Sequence, residues 1–461
     1  MSIKVVVCVR QGLDGEISPF DACAYEQALC LDDADVTLLS MGPASASDFL
    51  LKLTRLGAKK AILLSDKAFA GADTLATAYA LSLAVKRLAP DLVLCGRQTL
   101  IGDTAQTGAM LSVLAGLDLV TCVMRIKEIG ARSISLDTRY EGEMKVSLPA
   151  LLTVEKVGTL RLPRLRSKMG EVEVWNAEEL GADVARCGLA GSPTRVIKTF
   201  ENQSGKRKCQ FIPMERLGWA IEQGLQKQTA LTDTATGDGE RLAGVCIVGE
   251  APRGFAESVS DDITVLALTD AEDIACQITA LAPSAVLWGS DTKSKRIAAQ
   301  VAAKLDLGLC ADCTRLECEG GELMMIRPAL SGSVIAKIKS LTKPAMATVR
   351  TDSGSDSRVM IGMGFGVKDC MDRVKELANE WNAELCASRK LVDNGYASYD
   401  MQVGLTGKTV SPPVYVAVGI SGAVHHIAGM ERAGTVIAIN PDRDAPIFDY
   451  ADYGIVEKFD C

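Results

Sequence analysis

The stretch Tyr415 to Asn440 reads YVAVGISGAVHHIAGMERAGTVIAIN and carries the clearest fold signal in the chain. An apolar run over Val414 to Val418 predicts a strand, Gly419 to Gly422 predict a turn, and a second apolar run ending at Asn440 predicts another strand. The two histidines between them open a predicted helix that ends near Gly434. A strand, a glycine turn, a helix and a strand in this order present backbone N–H groups to a phosphate in α/β sheets. The sequence therefore predicts a phosphate-binding turn here.

Ser421, His425 and His426 are the reactive side chains of this turn, and the chain contains no other histidine. A histidine at a helix start is often a surface cap, and the letters GISGA superficially suggest a serine nucleophile. The nucleophile elbow of the hydrolases requires glycine two residues after the serine, a place that Ala423 occupies here. A hydrolase is therefore disfavoured.

Composition limits the other functions. Of the 461 residues, 48% are apolar and 23% are charged, which is typical of a soluble globular protein of two to four domains. The formal net charge is −8 and only 5% of residues are aromatic, so a nucleic-acid partner is not expected. The N-terminus enters an apolar strand at once and no apolar run is long enough to cross a bilayer, so we expect a cytoplasmic protein without direct membrane insertion.

The 15 cysteines mostly stand singly in apolar runs, which is typical of reduced, buried thiols. One cluster, Cys310, Cys313 and Cys318, has the spacing of half a zinc or iron–sulfur site. No second CxxC and no nearby histidine completes four ligands, so a metal is disfavoured.

The first half alternates short apolar runs with longer helical stretches, a pattern that predicts βαβ units and a parallel sheet covered on both faces. We predict strands over Ile3–Arg10, Val36–Met41, Lys60–Ser65 and Leu92–Gly96, and helices over Ala22–Leu31, Ala46–Leu56 and Thr74–Leu88. Ligands of such sheets bind at the carboxyl ends of the strands.

The segment after the fourth predicted strand, GRQTLIGDTAQTG, has the composition of an anion site. Gly96 and Gly102 allow close backbone approach, Asp103 and Thr104 are helix-capping types, and Gln106, Thr107 and Gly108 follow on the opening turn. Glycine-rich turns without ligands are common, so both interpretations stay open from the residues alone.

The rest of this half is less regular. Thr121 to Val154 is β-rich and predicts hairpins beside the parallel sheet. Gly158 to Met169 alternates basic residues with leucines around Pro163, which suits docking to a partner but also a solvated arm. Thr229 to Glu240 lacks apolar periodicity and predicts an interdomain linker.

Beyond the linker the α/β rhythm restarts, with predicted strands at Leu242–Val248, Ile263–Leu268 and Ala285–Trp288 and a helix at Lys295–Leu305. The order of parts echoes the first half, so the halves are interpreted as diverged copies. The second copy has Lys293, Lys295 and Arg296 in place of the glycine turn, which favours a scaffold over a nucleotide site. After a polar break at Thr351 to Ser357 comes a last domain with glycine turns at Gly362, Gly364 and Gly366 and a predicted helix over Cys370–Trp381, a pattern typical of a phosphate-bearing cofactor.

These motifs carry a resemblance. The segments ASRKLVDNGY, MQVGLTGKTVSPPVYVAVGISGAVHHIAGM and AINPDRDAPIFDYADYGIVE resemble the FAD domain of the electron transfer flavoprotein α subunit. The segments CVRQ, SPFDACAYEQAL, LVLCGRQTLIGDTAQTG and LPALLTV resemble the β subunit of that family. The resemblance implies a single-chain β–α fusion, and a tether of this kind raises the effective concentration of each half for the other.

The implied fold is α/β, with two doubly wound parallel-sheet domains of adenine nucleotide α-hydrolase-like type and a C-terminal Rossmann-like FAD domain. The implied bounds are a β-like part over residues 1–228, a linker over 229–240, an α-subunit N-terminal-like domain over 241–350 and the FAD domain over 351–461.

The resemblance also implies the FAD-binding residues. They are Ser388, Arg389, Gln402, Val403, Gly404, Thr406, Gly419, Ser421, Gly422, His426, Asn440 and Asp452. By resemblance, His426 supplies positive charge near the flavin O2, Arg389 lies by the ring edge, and the Thr406 hydroxyl reaches N5. Two departures concern the redox potential, because Phe365 stands where the family usually has arginine and His425 where it often has glutamine.

In the β-like half the resemblance implies AMP or a second FAD. The matching residues are Cys8, Gly96, Gly102, Asp103, Thr104, Gln106, Thr107 and Gly108. Leu162 matches the leucine of the family's partner-docking loop.

The implied function is a redox carrier without an organic substrate of its own, which links acyl-CoA dehydrogenase-type flavoproteins of fatty acid β-oxidation to a membrane quinone oxidoreductase or a ferredoxin-linked acceptor. The alternatives are an electron-bifurcating, NADH-oxidising flavoprotein, which would be an oxidoreductase, and an AMP- or ATP-sensing regulatory module.

Overall fold

The structure is a computed structural model that describes residues 3–12, 15–99, 102, 104–130, 132–155, 157–164, 166–201, 206–226, 240–329, 334–350, 357–404 and 407–459. The chain divides into two compact units. Unit 1 comprises Met1–Thr199, Gly237–Leu330 and Ala336–Val349, and unit 2 comprises Phe200–Thr236, Ser331–Ile335 and Arg350–Cys461. Among the described residues, no helix combines the length and apolarity needed to span a membrane.

The first half of the chain supplies the larger sheet of unit 1 and two elements of unit 2. Its strands are β1 Ile3–Cys8, β2 Ala34–Met41, β3 Lys60–Leu64, β4 Leu92–Gly96, β5 Asp118–Ile129, β6 Ser133–Thr138, β7 Gly142–Ser147, β8 Ala150–Val154, β9 Glu171–Trp175, β10 Thr194–Glu201 and β11 Gln210–Phe211. Its helices are α1 Pro19–Leu29, α2 Ala46–Thr54, α3 Thr74–Leu88, α4 Thr107–Ala115 and α5 Leu217–Gln226. Strand β4 and helix α3 have the predicted bounds.

The nine-stranded sheet of this first lobe (residues 3–192) has the order β7-β6-β5-β8-β4-β1-β2-β3-β9. In this order, each strand from β5 to the edge strand β9 is parallel to its neighbours within that group. Strand β6 pairs antiparallel with β5 and with β7. The hairpins therefore extend one edge of the sheet, as the sequence predicts. The strand β8 differs from that prediction, because all five of its residues are buried and it lies inside the parallel sheet between β4 and β5.

The second lobe (residues 242–349) repeats the parallel arrangement. Its elements are β12 Val245–Val248, α6 Arg253–Glu257, β13 Ile263–Leu266, α7 Ala271–Leu281, β14 Ala285–Trp288, α8 Thr292–Leu305, β15 Leu309–Cys313, β16 Arg315–Glu319, β17 Glu322–Ala329, β18 Val334–Ser340 and β19 Ala345–Val349. The order β13-β12-β14-β19-β15 forms a parallel sheet, and β10-β18-β17-β16 form a separate sheet. Met110 of α4 and Ile297 of α8 belong to one buried cluster, so the two lobes of unit 1 share a core.

Unit 2 holds a six-stranded parallel sheet. Its remaining elements are β20 Val359–Met363, α9 Met371–Glu380, β21 Glu384–Ala387, α10 Arg389–Asp393, β22 Val414–Val418, α11 Val424–Ile427, β23 Thr435–Ile439 and β24 Tyr453–Ile455. The strand order is β11-β24-β23-β22-β20-β21. The edge strand β11 and the helix α5 come from the β-like part, and Ala220 and Ile221 of α5 pack in the same buried cluster as Val414.

Helix starts in unit 1 follow the capping rules that the sequence contains. Asp73 accepts hydrogen bonds from the backbone N–H groups of Leu75 and Ala76 at 3.0 and 3.1 Å, so α3 begins directly after it. Asp291 caps α8 in the same way through Ser294. By contrast, the predicted helix that begins at the histidines of unit 2 is a single turn.

The described cysteines are mostly free thiols, as predicted. Thirteen are free, whereas Cys370 is disulfide-bonded, which the sequence did not predict. Cys310 and Cys313 lie buried in β15, and Cys318 lies half-buried in β16. Among the described residues, no group of three or more His, Cys, Asp or Glu side chains is placed to hold a metal ion.

Candidate functional site

The candidate cofactor edge of unit 2 is the carboxyl edge of its sheet. Strands β20, β21, β22 and β23 run in parallel, with Met363 opposite Ala387 and Val418, and Val418 opposite Ile439. The residues that follow these strand ends therefore share one edge. Four residues predicted from the sequence lie there, namely Ser388, Gly419, Asn440 and Gln402, the last of which forms a bridge with Ala387.

Glycines bring the backbone segments of this edge into direct contact. A Cβ atom on Gly364 would overlap the Gly419 carbonyl, and one on Gly422 would overlap the Ile447 backbone. Gly422 also has a φ of +90°, which favours glycine. The predicted turn is thus present, and its close packing leaves room only for glycine at these positions.

Asn440 connects two loops of the edge. Its Nδ2 donates to the Ile420 carbonyl at 2.9 Å and its Oδ1 accepts from the Asp442 N–H at 2.9 Å. The side chain is buried, and both ends of the amide are used. Asn440 therefore positions the glycine turn after β22.

Ser388 and Arg389 follow β21. The Ser388 Oγ is buried and has no hydrogen-bond partner among the described residues, which fits a hydroxyl that pairs with a bound group. The Arg389 Nε lies 3.2 Å from the Asp393 carboxylate on the next turn of α10. The predicted cationic side chain is present at the edge, but part of its charge is already paired within the helix.

His426 lies beneath the glycine turn in a polar chain. Its Nε2 is 2.9 Å from the Tyr415 hydroxyl, and the Cys386 thiol donates to the same hydroxyl at 3.4 Å. Burial lowers the pKa of His426 to about 4, and the Val403 backbone opposes part of this shift. Burial therefore favours the neutral imidazole, and the positive charge near the flavin O2 that the resemblance implies for His426 stays a prediction.

The segment that carries Gln402, Val403 and Gly404 packs against the histidine turn. A Cβ atom on Gly404 would lie 2.6 Å from the His425 carbonyl, and one on Gly429 would overlap the Gly404 backbone. Gln402 and Val403 are buried. Thr406, the predicted partner of the flavin N5, lies outside the described residues.

The structure separates Asp452 from the other predicted FAD residues. Asp452 precedes β24 and accepts a hydrogen bond from the Val436 N–H at 2.9 Å, at the amino end of β23. It also forms an ion pair with Arg207, whose guanidinium donates to the Gly434 carbonyl at 3.1 Å. Asp452 therefore links the segment that contains Arg207 to the sheet of unit 2. Because the amino and carboxyl ends of parallel strands lie at opposite edges, it lies at the edge opposite the glycine turn.

Phe365, the residue that replaces the family's usual arginine, lies near two lysine side chains. The Nζ of Lys390 lies 4.6 Å from its ring centroid and that of Lys368 lies 5.9 Å from it. The Tyr396 ring meets it edge-on at 6.2 Å. Positive charge is therefore present near this turn even without the arginine.

The nucleotide edge of the first lobe lies at the ends of β1 and β4. Cys8 is opposite Cys95 and Gly96 is opposite Val154, so the three strand ends meet. Burial raises the pKa of the Cys8 thiol to about 12, which keeps it uncharged. A Cβ atom on Gly108 would lie 2.6 Å from Thr153 Cγ2, so α4 begins in close contact with β8.

Gln106 is the clearest ligand-fitting side chain of this edge. The side chain is fully buried, and neither its Oε1 nor its Nε2 has a hydrogen-bond partner within the described part of the chain. A buried amide normally finds partners, so this one fits a bound polar group. Gly102, Thr104 and Thr107 are half-buried beside it, whereas Asp103 lies outside the described residues.

Asp21 was missed by the sequence reasoning. Its carboxylate accepts from the Arg10 N–H at 2.9 Å and from the Gly96 N–H at 3.0 Å, so it bridges the loops that follow β1 and β4. Burial raises its pKa to about 7. The available signal was an aspartate in the first turn of α1, within SPFDACAYEQAL.

A buried charge cluster lies next to the same edge. Arg97 lies 3.0 Å from Glu155, Arg139 lies 3.5 Å from the same carboxylate oxygen, and the three side chains are at most 13% exposed. Two guanidinium groups thus share one carboxylate at this edge. Such a cluster fits an anionic ligand in the neighbourhood of β4 and β8.

The Leu162 side chain is exposed to solvent. Its relative exposure is 87%, the largest among the exposed large apolar side chains that the structure describes. The preceding Arg161 binds both carboxylate oxygens of Glu26 at 2.8 to 3.0 Å, and Leu160 packs on the buried core. The backbone around Leu162 is therefore anchored while the side chain points outward.

Two protein-family models match the chain. Residues 5–180 and 258–357 match the electron transfer flavoprotein domain, and residues 354–431 match the electron transfer flavoprotein FAD-binding domain. The chain belongs to the electron transfer flavoprotein family. The predicted fusion is confirmed, since two copies of the shared domain and one FAD-binding domain occur in one electron transfer flavoprotein chain.

Relatives of the chain include an alpha subunit and a beta subunit of this family. Protein FixA of Azorhizobium caulinodans is 41% identical over 223 residues, which cover 44% of this chain and 79% of FixA. The electron transfer flavoprotein subunit alpha of Thermoanaerobacterium thermosaccharolyticum is 39% identical over 220 residues, covering 38% of this chain and 67% of that subunit. The subunit beta of Clostridium acetobutylicum is 38% identical over 204 residues, covering 41% and 78%.

Proposed function

We propose that this chain carries electrons through one FAD in unit 2, from an acyl-CoA dehydrogenase-type flavoprotein to a membrane quinone oxidoreductase or a ferredoxin-linked acceptor. The observation that carries the proposal is the glycine-built carboxyl edge of unit 2, within the region that matches the FAD-binding domain. Bound FAD supplies reversible electron chemistry, and the chain supplies position and polarity. No separate organic substrate is needed.

The described residues fit that cofactor. The unpartnered Ser388 hydroxyl and the Gly419–Gly422 turn offer polar groups to a bound dinucleotide, and Gln402 and Gly404 lie on the same edge. Asn440 holds the turn in place. We propose Ser421, Val403 and Thr406 as further contacts on the basis of the family resemblance.

Docking to the dehydrogenase is proposed for Leu162. An isolated apolar side chain costs little when exposed, and one whose preceding backbone is already anchored loses little conformational freedom on binding. The Arg161–Glu26 pair supplies this anchoring.

The experiment measures cofactor content and electron transfer in the full chain. Acid release should yield one FAD per chain in unit 2, and an acyl-CoA with its dehydrogenase should bleach the flavin. Leu162→Ala should slow this bleaching at least tenfold with unchanged FAD content, whereas Leu189→Ala, at an exposed leucine outside the docking loop, should not. A colourless chain that binds AMP or ATP would instead support a nucleotide sensor.

A second candidate function, bifurcation with oxidation of NADH, requires a second FAD in the first lobe. The buried Gln106 amide and the Arg97–Arg139–Glu155 cluster favour an anionic nucleotide there, and both AMP and FAD have that chemistry. One FAD with one AMP per chain would support the simple carrier. Two FAD, together with flavin reduction by NADH alone, would support bifurcation.

A further inference from the structure

A polar chain of Cys386, Tyr415 and His426 lies beneath the glycine turn of unit 2. Tyr415 is completely buried on β22, and its hydroxyl lies 2.9 Å from His426 Nε2. The Cys386 thiol donates to the oxygen of the same hydroxyl. Because that oxygen already accepts from the thiol, the phenolic proton is available for the imidazole.

The protonation states of Cys386, Tyr415 and His426 are consistent with a hydrogen bond donated by Tyr415 to His426. Burial raises the pKa of Cys386 to about 12 and raises that of Tyr415 well above its ordinary value, so both are protonated at neutral pH. Burial keeps the imidazole neutral. A neutral imidazole that accepts a proton at Nε2 must carry its own proton on Nδ1.

The remaining nitrogen, Nδ1, is buried and has no hydrogen-bond partner among the described residues. The Val403 backbone, which follows β21, lies close enough to the imidazole to raise its pKa against the effect of burial. Gly404 and Gly429 bring this segment and the histidine turn into backbone contact. The Val410 N–H also donates to the Gly429 carbonyl at 2.8 Å.

We propose that Tyr415 is a positioning residue that fixes His426 as the Nδ1–H tautomer, so that the ring presents a neutral donor toward Val403 and the cofactor edge. Whether this donor serves FAD rests on the proposed function, but the tautomer does not. Cys386 orients the Tyr415 hydroxyl and completes the chain.

Nitrogen-15 NMR of the imidazoles tests the proposal directly, because the chain has only two histidines. The full chain is labelled with ¹⁵N-histidine, His425→Gln assigns the signals, and spectra are recorded at pH 7 with and without FAD. We expect His426 to show a protonated Nδ1 and an unprotonated Nε2 in both states.

Tyr415→Phe removes the donor without changing the size of the ring. The ratio of Nδ1–H to Nε2–H tautomers should fall by about fivefold, the factor that one neutral hydrogen bond contributes. Tyr453→Phe is the matched control, since its ring contacts Trp219 on β24 and is remote in sequence from the histidine turn. Cys386→Ser preserves a donor and should keep the wild-type tautomer.

A proton on Nε2 in the wild-type chain, an imidazolium at pH 7, or an unchanged ratio in Tyr415→Phe would overturn the proposal. If Tyr415→Phe does not fold, the wild-type spectrum still decides the tautomer. A chain that lacks FAD but keeps the Nδ1–H signal would contradict the proposed function and leave this inference intact.

Discussion

The carboxyl edges of the first lobe and of unit 2 hold their loops in chemically different ways. In the first lobe the buried carboxylate of Asp21 joins the loops after β1 and β4 by accepting two N–H groups. In unit 2 the buried amide of Asn440 joins the loops after β22 and β23 by one donated and one accepted bond. A carboxylate titrates and an amide does not. The first edge should therefore respond to pH, and the second should not.

The largest effect on FAD binding is expected where backbone packing excludes a side chain. Gly422→Ala places a Cβ against the Ile447 backbone at a φ of +90°, a conformation that costs about 1–3 kcal/mol before any clash. FAD occupancy should fall more than tenfold, as measured by absorbance of the purified chain.

Gly254→Ala is the control for this variant, because nothing lies within 4 Å of its Cβ position. Gly96→Ala makes the equivalent change in the first lobe and should leave the FAD of unit 2 bound. Loss of FAD in Gly96→Ala would show that the two edges are not independent.

The next effect concerns the pH response of Asp21. Its pKa in the folded chain is about 7, above the ordinary 3.8, so ionisation in the folded state is unfavourable. Its contribution to stability is therefore fully present below about pH 4 and is lost as pH rises through 7, by on the order of 4 kcal/mol. Asp21→Asn should remove this loss.

Urea unfolding of unit 1 at pH 5, 6, 7 and 8 measures the difference between the wild type and Asp21→Asn. The free energy of unfolding of the wild type should decline relative to the variant across this range. Parallel curves would show that Asp21 is ionised without cost, which would remove the contrast between the two edges.

The reciprocal change in unit 2 is Asn440→Asp. It removes the bond donated to the Ile420 carbonyl and places an ionisable group in a buried position, at a cost of about 1–3 kcal/mol. FAD retention should become pH-dependent and weaken as pH rises, because ionisation of a buried carboxyl is unfavourable. Dialysis at pH 6 and pH 8 followed by absorbance measures it, with the wild type expected to show no such difference.

The smallest effect is expected at Gln106. Without ligand, Gln106→Leu removes a buried amide that lacks partners and should raise the melting temperature of unit 1 by a few degrees, corresponding to about 1 kcal/mol. With the nucleotide bound, the same variant should be less stable than the wild type. A variant that is equally stabilised in both states would show that Gln106 does not contact the nucleotide.

The sequence was a good guide to elements whose signals are local. Helix α3 has its predicted bounds because Asp73 caps it and Leu88 ends its apolar periodicity. The glycine turn after β22 was predictable because Gly419 and Gly422 are visible in the sequence. Both lie where a second backbone segment leaves no room for a side chain. The strand β8 was misplaced because a short apolar run does not reveal its neighbours.

The side-chain chemistry was less predictable. The sequence does not reveal that His426 is buried, or that the Tyr415 hydroxyl, eleven residues earlier in the chain, lies 2.9 Å from its Nε2. Asp452 was grouped with the FAD residues, but its position at the amino end of β24 pairs it with Arg207. Asp21 belongs to no sequence motif, because it accepts hydrogen bonds from Arg10 and Gly96, which follow or end two strands that are distant in sequence.

The sequence by itself determined the family, the α/β class, the fusion of two subunit types and the glycine turns, because each depends on residue order and local backbone freedom. Only the tertiary structure decided which polar groups lie buried together, as Tyr415 and His426 do. The physical reason is that desolvation and hydrogen bonding depend on neighbours brought together by the sheet.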